Sequence, residues 1–374
     1  MSISPKAIFE AFISQDIEFF SGVPDSLLKN FCSYLDDNTD DDNHVISANE
    51  GSAVAISIGY HLATSKVPLV YMQNSGLGNA INPLLSLADE KVYSIPIILM
   101  IGWRGEPGVK DEPQHLKQGL VTRSMLESME IKTILMDQNS SIETVTEACN
   151  LAKNQQRPVA LLVKKNTFSK YQSNNSNKLE HFPLREKIIK TIAAEAEKYS
   201  YSIVSTTGVT SRELFEYRSH NLLDHSNDFL TVGGMGHASQ IALGLAMFNK
   251  KNILCLDGDG AFLMHMGAAA EIGVRGLTNF KHILINNECH DSVGGQPTRS
   301  GSIDLSQTAS SFGYRVFKPC ESIKQLENSI EDFLICDECS FMEIKSSPGF
   351  RKDLGRPTSS PKENKICFME SLQN

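Results

Sequence analysis

The run Asp257-Gly258-Asp259-Gly260 ends an apolar segment, and 25 residues separate it from Asn286-Asn287, which ends another. If the two apolar segments are neighbouring parallel strands, the spacer holds a turn, a helix and a short loop. Asp259 and Asn287 then emerge on the same sheet edge. A carboxylate, an amide oxygen and a main-chain carbonyl form a hard oxygen set suited to Mg²⁺, which keeps positions open for phosphate oxygens. The glycines let the backbone approach such phosphates closely, and a helix beginning near Ala261 would point its N-terminal dipole at them. Either piece alone reads as a tight turn or a polar strand end. Together, at this spacing, they point to a metal–diphosphate site.

Other groups fall at similar positions. Asp25 follows an apolar segment in a proline turn, and the loop from Arg104 to His115 carries Arg104, Lys110 and His115. His290 and Asp291 follow the asparagine pair. The glycine-rich run Gly233-Gly234-Met235-Gly236-His237 is not a dinucleotide fingerprint, because Ser239 stands where the third glycine would be, and Leu263 does so after Gly260. No Gly-Lys pair, G-x-S-x-G or H-E-x-x-H occurs, which removes P-loop, serine-hydrolase and zincin chemistry.

The elements that must position these groups follow one rhythm in both halves. Short apolar runs at 17–20, 45–48, 69–72, 96–101, 133–136 and 159–163, then at 202–205, 229–232, 253–256, 282–285, 314–317 and 341–344, read as strands. Helical segments such as 51–64, 77–90, 265–274 and 323–333 fall between them. This alternation predicts an α/β fold with two domains, each a mainly parallel sheet with helices on both faces. The polar segment 169–184 reads as a linker between domains spanning 1–168 and 185–374. The stretch 346–364 holds three prolines and reads as a loop or tail. Ligands of open parallel sheets sit beyond the strand carboxyl ends, where the groups above fall.

A net charge of −9 argues against a nucleic-acid or anionic-membrane partner, since both need a basic face. No apolar run reaches the roughly 20 residues of a membrane helix, and the first residues lack a signal pattern. Six of the eight cysteines (Cys32, Cys149, Cys255, Cys320, Cys336 and Cys367) lie in or beside apolar segments, so buried free thiols in a reducing cytoplasm are expected. Cys336-x-x-Cys339 lacks the second ligand pair that a zinc site needs.

The G-D-G…N-N pattern, the segment from Asn286 to Thr298 and Gly22-Val23-Pro24-Asp25-Ser26 resemble the thiamine-diphosphate-dependent 2-oxo acid decarboxylases over nearly the whole chain. The resemblance implies a pyrimidine-binding first domain and a diphosphate-binding second domain. It implies that Glu50, opening the Ala-rich segment after strand 45–48, protonates the aminopyrimidine. Met235 would support the bent cofactor, with Gly234, Gly258, Asp259, Gly260, Asn287 and His290 around it. Asp259, Asn287 and the Cys289 main-chain carbonyl would hold Mg²⁺. Asp25 and His115 would move protons at the reacting carbon, a task suited to a histidine pKa. Within the family the quoted segments are most similar to the branch acting on 3-phosphonopyruvate. Decarboxylation to phosphonoacetaldehyde and CO₂, a step of phosphonate biosynthesis, is therefore expected. The phosphonate would need Asn74, Ser75, Arg104 or Lys110, and Arg299 is a further cation near the Gly294-Gly295 loop. Sulfopyruvate is the alternative substrate, and a non-catalytic thiamine diphosphate binder is the alternative of another class. The resemblance further implies a homo-oligomer whose cofactor lies between chains, with Glu50 from one copy and Asp259 from another.

Overall fold

The computed structural model describes residues 2–173, 179 and 181–373. The chain divides into two compact units, residues 1–176 and 177–374. Part of the expected linker, 174–178 and 180, lies outside the described residues. Its upstream flank is pinned to the first unit, where Tyr171 Oη donates to Asp37 at 2.9 Å.

The first unit holds strands β1 (Phe20–Gly22), β2 (His44–Ile46), β3 (Leu69–Gln73), β4 (Ile98–Gly102), β5 (Lys132–Met136) and β6 (Val159–Val163), in the order β2-β1-β3-β4-β6-β5. Every neighbouring pair is parallel. Period-two alternation explains why the central strands are apolar throughout. Tyr71, Met100 and Leu161 pack into one core layer, while Val70, Met72, Leu99 and Leu162 pack into the opposite one.

The second unit repeats this plan with β7 (Ser202–Ser205), β8 (Asp228–Leu230), β9 (Ile253–Gly258), β10 (Phe280–Asn286), β11 (Arg315–Val316) and β12 (Ser340–Lys345), in the order β11-β12-β10-β9-β7-β8. All its pairs are also parallel. Leu254, Leu256, Ile283 and Ile285 face one layer, and Ile253, Cys255 and Leu284 face the other. The expected α/β architecture of two helix-covered parallel sheets is present. Among the described residues no helix is long and apolar enough to cross a membrane.

Several boundaries differ from expectation. The first strand starts at Phe20 because Asp16 turns through a left-handed φ of 59° and Ile17 N–H bonds back to Phe12 O. The helix expected over 77–90 ends at Pro83 and continues as a wide turn, Leu84–Ala88. The helix expected at 265–274 runs Ala268–Arg275, and the helix expected to begin near Ala261 is a separate one, Asp259–Met264, so Asp259 is itself its first residue. The tail ends in a helix, Pro361–Ser371, started by a capping box between Ser360 and Glu363. Its Asn364 accepts from Leu230 N–H and donates to Asp228 O, closing the edge strand β8. Cys336 is half-buried and Cys367 exposed, contrary to expectation, whereas Cys289 and Cys339 are buried with the other four.

A buried ion pair anchors that same edge. Arg218 grips Asp228 through two hydrogen bonds of 2.8 and 3.0 Å and also bonds Glu197. Both Arg218 and Asp228 are buried, so removing one partner strands the other. Arg218→Met should lower the unfolding free energy by about 3–5 kcal/mol, and by less at pH 5 than at pH 8, because the orphaned carboxyl can then take up a proton. Urea unfolding at the two pH values checks this, and a loss independent of pH would contradict it.

Candidate active site

In the first unit, the parallel register puts the carboxyl ends of β1 to β4 on one edge. Asp25, Glu50, Asn74 and Arg104 follow those ends. Asn49 caps the helix Glu50–Thr64 by accepting from Ser52 N–H, which makes Glu50 its first residue. The Glu50 carboxylate is buried and accepts from Asn79 Nδ2 at 2.7 Å. A methyl group at Gly76 would lie 2.2 Å from Glu50 Oε1, so bare backbone closes that side.

Asp25 is fully buried. Its Oδ2 accepts from Leu27 N–H at 2.8 Å and its Oδ1 from Gln73 Nε2 at 2.7 Å. Burial raises its pKa above the ordinary aspartate value, although Gln73, Leu27 and the Arg104 charge pull the other way. A carboxyl shifted upward in this way keeps its proton more readily than an exposed aspartate does. Gln73 accepts in turn from Ser75 Oγ. The short turn Asn74–Gly76 thus touches every part of this edge, since Asn74 bonds Arg104, Ser75 reaches Gln73 and Gly76 abuts Glu50.

The expected anion-binding residues are differently employed. Asn74 Nδ2 donates to Arg104 O and to Thr122, and its Oδ1 accepts from Arg104 N–H, so it clamps the loop after β4. Arg104 forks onto Asp111 at 2.8 and 2.5 Å and bonds Ser26 at 2.8 Å. Against its own burial, Asp111 is held well below the usual carboxylate range by Arg104 and by the N–H groups of Gly105 and Glu112. Ser75 and Lys110 are exposed. His115 is not in a loop. It lies in the first turn of the helix Pro113–Ser128, where Pro113 is an N-terminal helix residue rather than a breaker.

In the second unit, three loops converge. A methyl at Gly260 would lie 2.9 Å from His290 Cε1 and 3.3 Å from Met235 Cε, so the segments after β8, β9 and β10 meet there. Gly234 has a φ of 65° with open space around it. Gly258 has only Thr206 near, at 3.8 Å. Burial pushes the His290 imidazole down to about 4, so it is neutral at neutral pH. Its main chain closes the following loop by bonding Gln296 O and accepting from Val293 and Gly295.

Asp259 and Asn287 are both buried at this edge. Thr298 Oγ1 lies 2.5 Å and Ser300 Oγ 2.8 Å from Asp259 Oδ2. Ser300 Oγ is also 2.8 Å from Asn286 Oδ1, which ties the two motifs together. Asn287 Oδ1 accepts from Cys289 N–H at 3.3 Å, and its Nδ2 donates to Asp291. The first acid of the glycine run, Asp257, points into the core toward His282, 3.4 Å away. The chemistry of this donor set, a buried carboxylate and an amide beside open glycine backbone, would suit a divalent cation and a phosphate group. Sequence reasoning missed Gln73, Asn79, Asp111, Thr298 and Ser300. Of these Thr298 and Asp111 stood in recognised segments, and none carries a spacing signal of its own.

The thiamine pyrophosphate enzyme N-terminal binding domain matches residues 5–134, and the C-terminal binding domain of the same enzymes matches residues 206–344. The chain is 32% identical to a phosphonopyruvate decarboxylase of Streptomyces viridochromogenes, over 89% of this chain and 87% of that one. It is 32% identical to one of Streptomyces hygroscopicus, over 91% and 88%. It is 26% identical to a sulfopyruvate decarboxylase of Methanosarcina acetivorans, over 98% and 96%.

Burial pushes the Asp259 carboxyl from its usual 3.8 to about 6, against the hydroxyls of Thr298 and Ser300. A folded pKa above the unfolded one gives stability that is complete below about pH 4 and lost as pH rises through about 6. Asp259→Asn imitates the protonated acid. In chelator-treated protein at about pH 8 it should therefore raise the unfolding free energy by about 2–3 kcal/mol, with the gain fading toward pH 4. Denaturation across that range checks this, and a flat difference would refute it.

Proposed function

This chain belongs to the family of thiamine-diphosphate-dependent decarboxylases that includes the phosphonopyruvate decarboxylases, and from that membership we propose that it converts 3-phosphonopyruvate to phosphonoacetaldehyde and CO₂. It would thus be a carboxy-lyase using thiamine diphosphate and Mg²⁺. The observation that carries the reading is 32% identity over about nine-tenths of the chain, together with Glu50, Asp259 and Asn287 at strand ends. The sulfopyruvate decarboxylase is a more distant relative at 26%, so that substrate is not favoured.

When bound, the cofactor's thiazolium supplies a sink for the electron pair left by departing CO₂. The chain's residues do the rest. Glu50, fixed by Asn79 and the bare backbone of Gly76, holds a proton against the aminopyrimidine. Asp259, Asn287 Oδ1 and the Cys289 carbonyl hold Mg²⁺, and Gly258 and Gly260 admit the diphosphate. Met235 and Gly234 support the cofactor, and neutral His290 packs beside Gly260. Asp25, with its raised pKa, delivers a proton to the carbon that has lost CO₂, with His115 as its partner. Lys110 and Ser75, both exposed, receive the phosphonate, while Arg104 is held by Asp111 and Ser26 and lends its charge from there, and Asn74 serves by clamping the Arg104 backbone.

On this reading residues 1–168 bind the pyrimidine and 185–374 the diphosphate. Copies self-associate, so that Glu50 of one serves a site whose Asp259 belongs to another. The free thiols fit a reducing cytoplasm.

The deciding experiment measures CO₂ release from phosphonopyruvate, sulfopyruvate and pyruvate, with and without thiamine diphosphate and Mg²⁺. The highest kcat/KM should belong to phosphonopyruvate, and both cofactors should be required. A higher value for sulfopyruvate would reverse the assignment. Asp25→Asn should lower kcat by about 10²-fold or more with a smaller change in KM, and an unaltered kcat would remove Asp25 from proton transfer.

A further inference from the structure

Asp291 follows the asparagine pair, yet none of the roles above uses it. Its carboxylate, 9% exposed, gathers four donors. Arg185 Nη1 lies 2.9 Å from Oδ2, Asn287 Nδ2 lies 2.7 Å from the same oxygen, Gly349 N–H lies 2.9 and 3.0 Å from the two oxygens, and the Cys289 thiol lies 3.1 Å from Oδ1. Arg185 is buried in turn. Its Nε bonds Glu213 at 3.0 Å and its Nη2 bonds Gly349 O at 3.2 Å. One guanidinium thus ties the helix Arg185–Lys198, the helix Val209–His220 and the segment after β12 to the loop that carries Asn287.

We propose that Asp291, anchored by Arg185, is a positioning residue that decides which end of the Asn287 amide faces the cation. The proposal rests on the reading of Asn287 as a Mg²⁺ ligand. A primary amide has two ends of nearly equal size, but only the oxygen can bind a hard cation. A carboxylate accepts and cannot donate, so it takes the NH₂ end and turns Oδ1 the other way. The reversed amide would set oxygen against oxygen at 2.7 Å inside the protein. The Arg185 fork balances the Asp291 charge and keeps its oxygens from following Asn287 if the amide turns. A partner shell of this kind commonly decides ligand affinity without touching the metal.

The test titrates Mn²⁺ into the full chain with saturating thiamine diphosphate, reading free Mn²⁺ by electron paramagnetic resonance. Asp291→Asn, whose side chain can also donate, should weaken Mn²⁺ binding by about 10-fold or more. In an Asn287→Ala background the same change should matter by less than about 2-fold, because the amide it orients is gone. Equal losses in both backgrounds would make Asp291 a general clamp and overturn the proposal, as would unchanged affinity in a folded Asp291→Asn variant. If that variant does not fold, Arg185→Lys keeps the charge and loses the fork. It should bind Mn²⁺ several-fold more weakly, and undiminished binding would overturn the proposal. A parent protein that binds no Mn²⁺ with thiamine diphosphate would instead defeat the cofactor reading, and this inference with it.

Discussion

Parallel strand pairing is the constraint on which the rest depends. Every named strand pair in both sheets is parallel. Each strand must therefore be reached by a crossover, and all carboxyl ends within a sheet point the same way. Residues far apart in the chain are delivered to one edge without any loop reaching for another. Asp25, Glu50, Asn74 and Arg104 follow four strands of the first unit, and Met235, Asp259 and Asn287 follow three of the second. The price is a set of polar groups placed where the sheet gives way to its helices.

Six acids, of which Asp111 and Asp291 are only partly buried, meet that problem in two ways. Asp228, Asp111 and Asp291 each meet an arginine, Arg218, Arg104 and Arg185 respectively. Asp25, Glu50 and Asp259 meet neutral donors instead: Gln73, Asn79, and the hydroxyls of Thr298 and Ser300. An acid forked by a guanidinium has its charge balanced and serves as a pillar, because changing that charge would break the pair. An acid held only by neutral dipoles has its orientation fixed but its charge left unbalanced, and it can still accept a proton or a cation. The division separates scaffolding acids from working acids by partner type, and it runs through both units.

Sequence reasoning reached the working acids but few of their partners. Asp259, Asn287 and Glu50 stand at strand ends with glycines or a helix start beside them, and backbone geometry restricts the residue types there. Asn79, Gln73, Thr298 and Ser300 are common polar residues whose significance depends on what tertiary structure puts opposite them. Arg185 lies 106 positions from Asp291, and no local pattern encodes that distance. Local signals also misled. Pro113 read as loop punctuation, yet it starts a helix that carries His115 in its first turn. The prolines of the tail masked a helix whose Ser360-x-x-Glu363 capping box was present in the sequence all along.

Three glycines beside the site residues matter for the side chain that they lack. None of Gly76, Gly102 and Gly260 has the left-handed φ that only glycine adopts cheaply. What they share is the absence of a side chain where a functional one must pass. A methyl would stand 2.2 Å from Glu50 at Gly76, 2.2 Å from Asp25 at Gly102 and 2.9 Å from His290 at Gly260. The close approach does more than make room. With bare backbone on one side and a hydrogen-bond donor on the other, Glu50 and Asp25 lose the freedom to swing away, so their carboxylates arrive already oriented. Preorganisation of this kind comes from what the neighbouring residue lacks, and a search for chemically active side chains therefore passes over it.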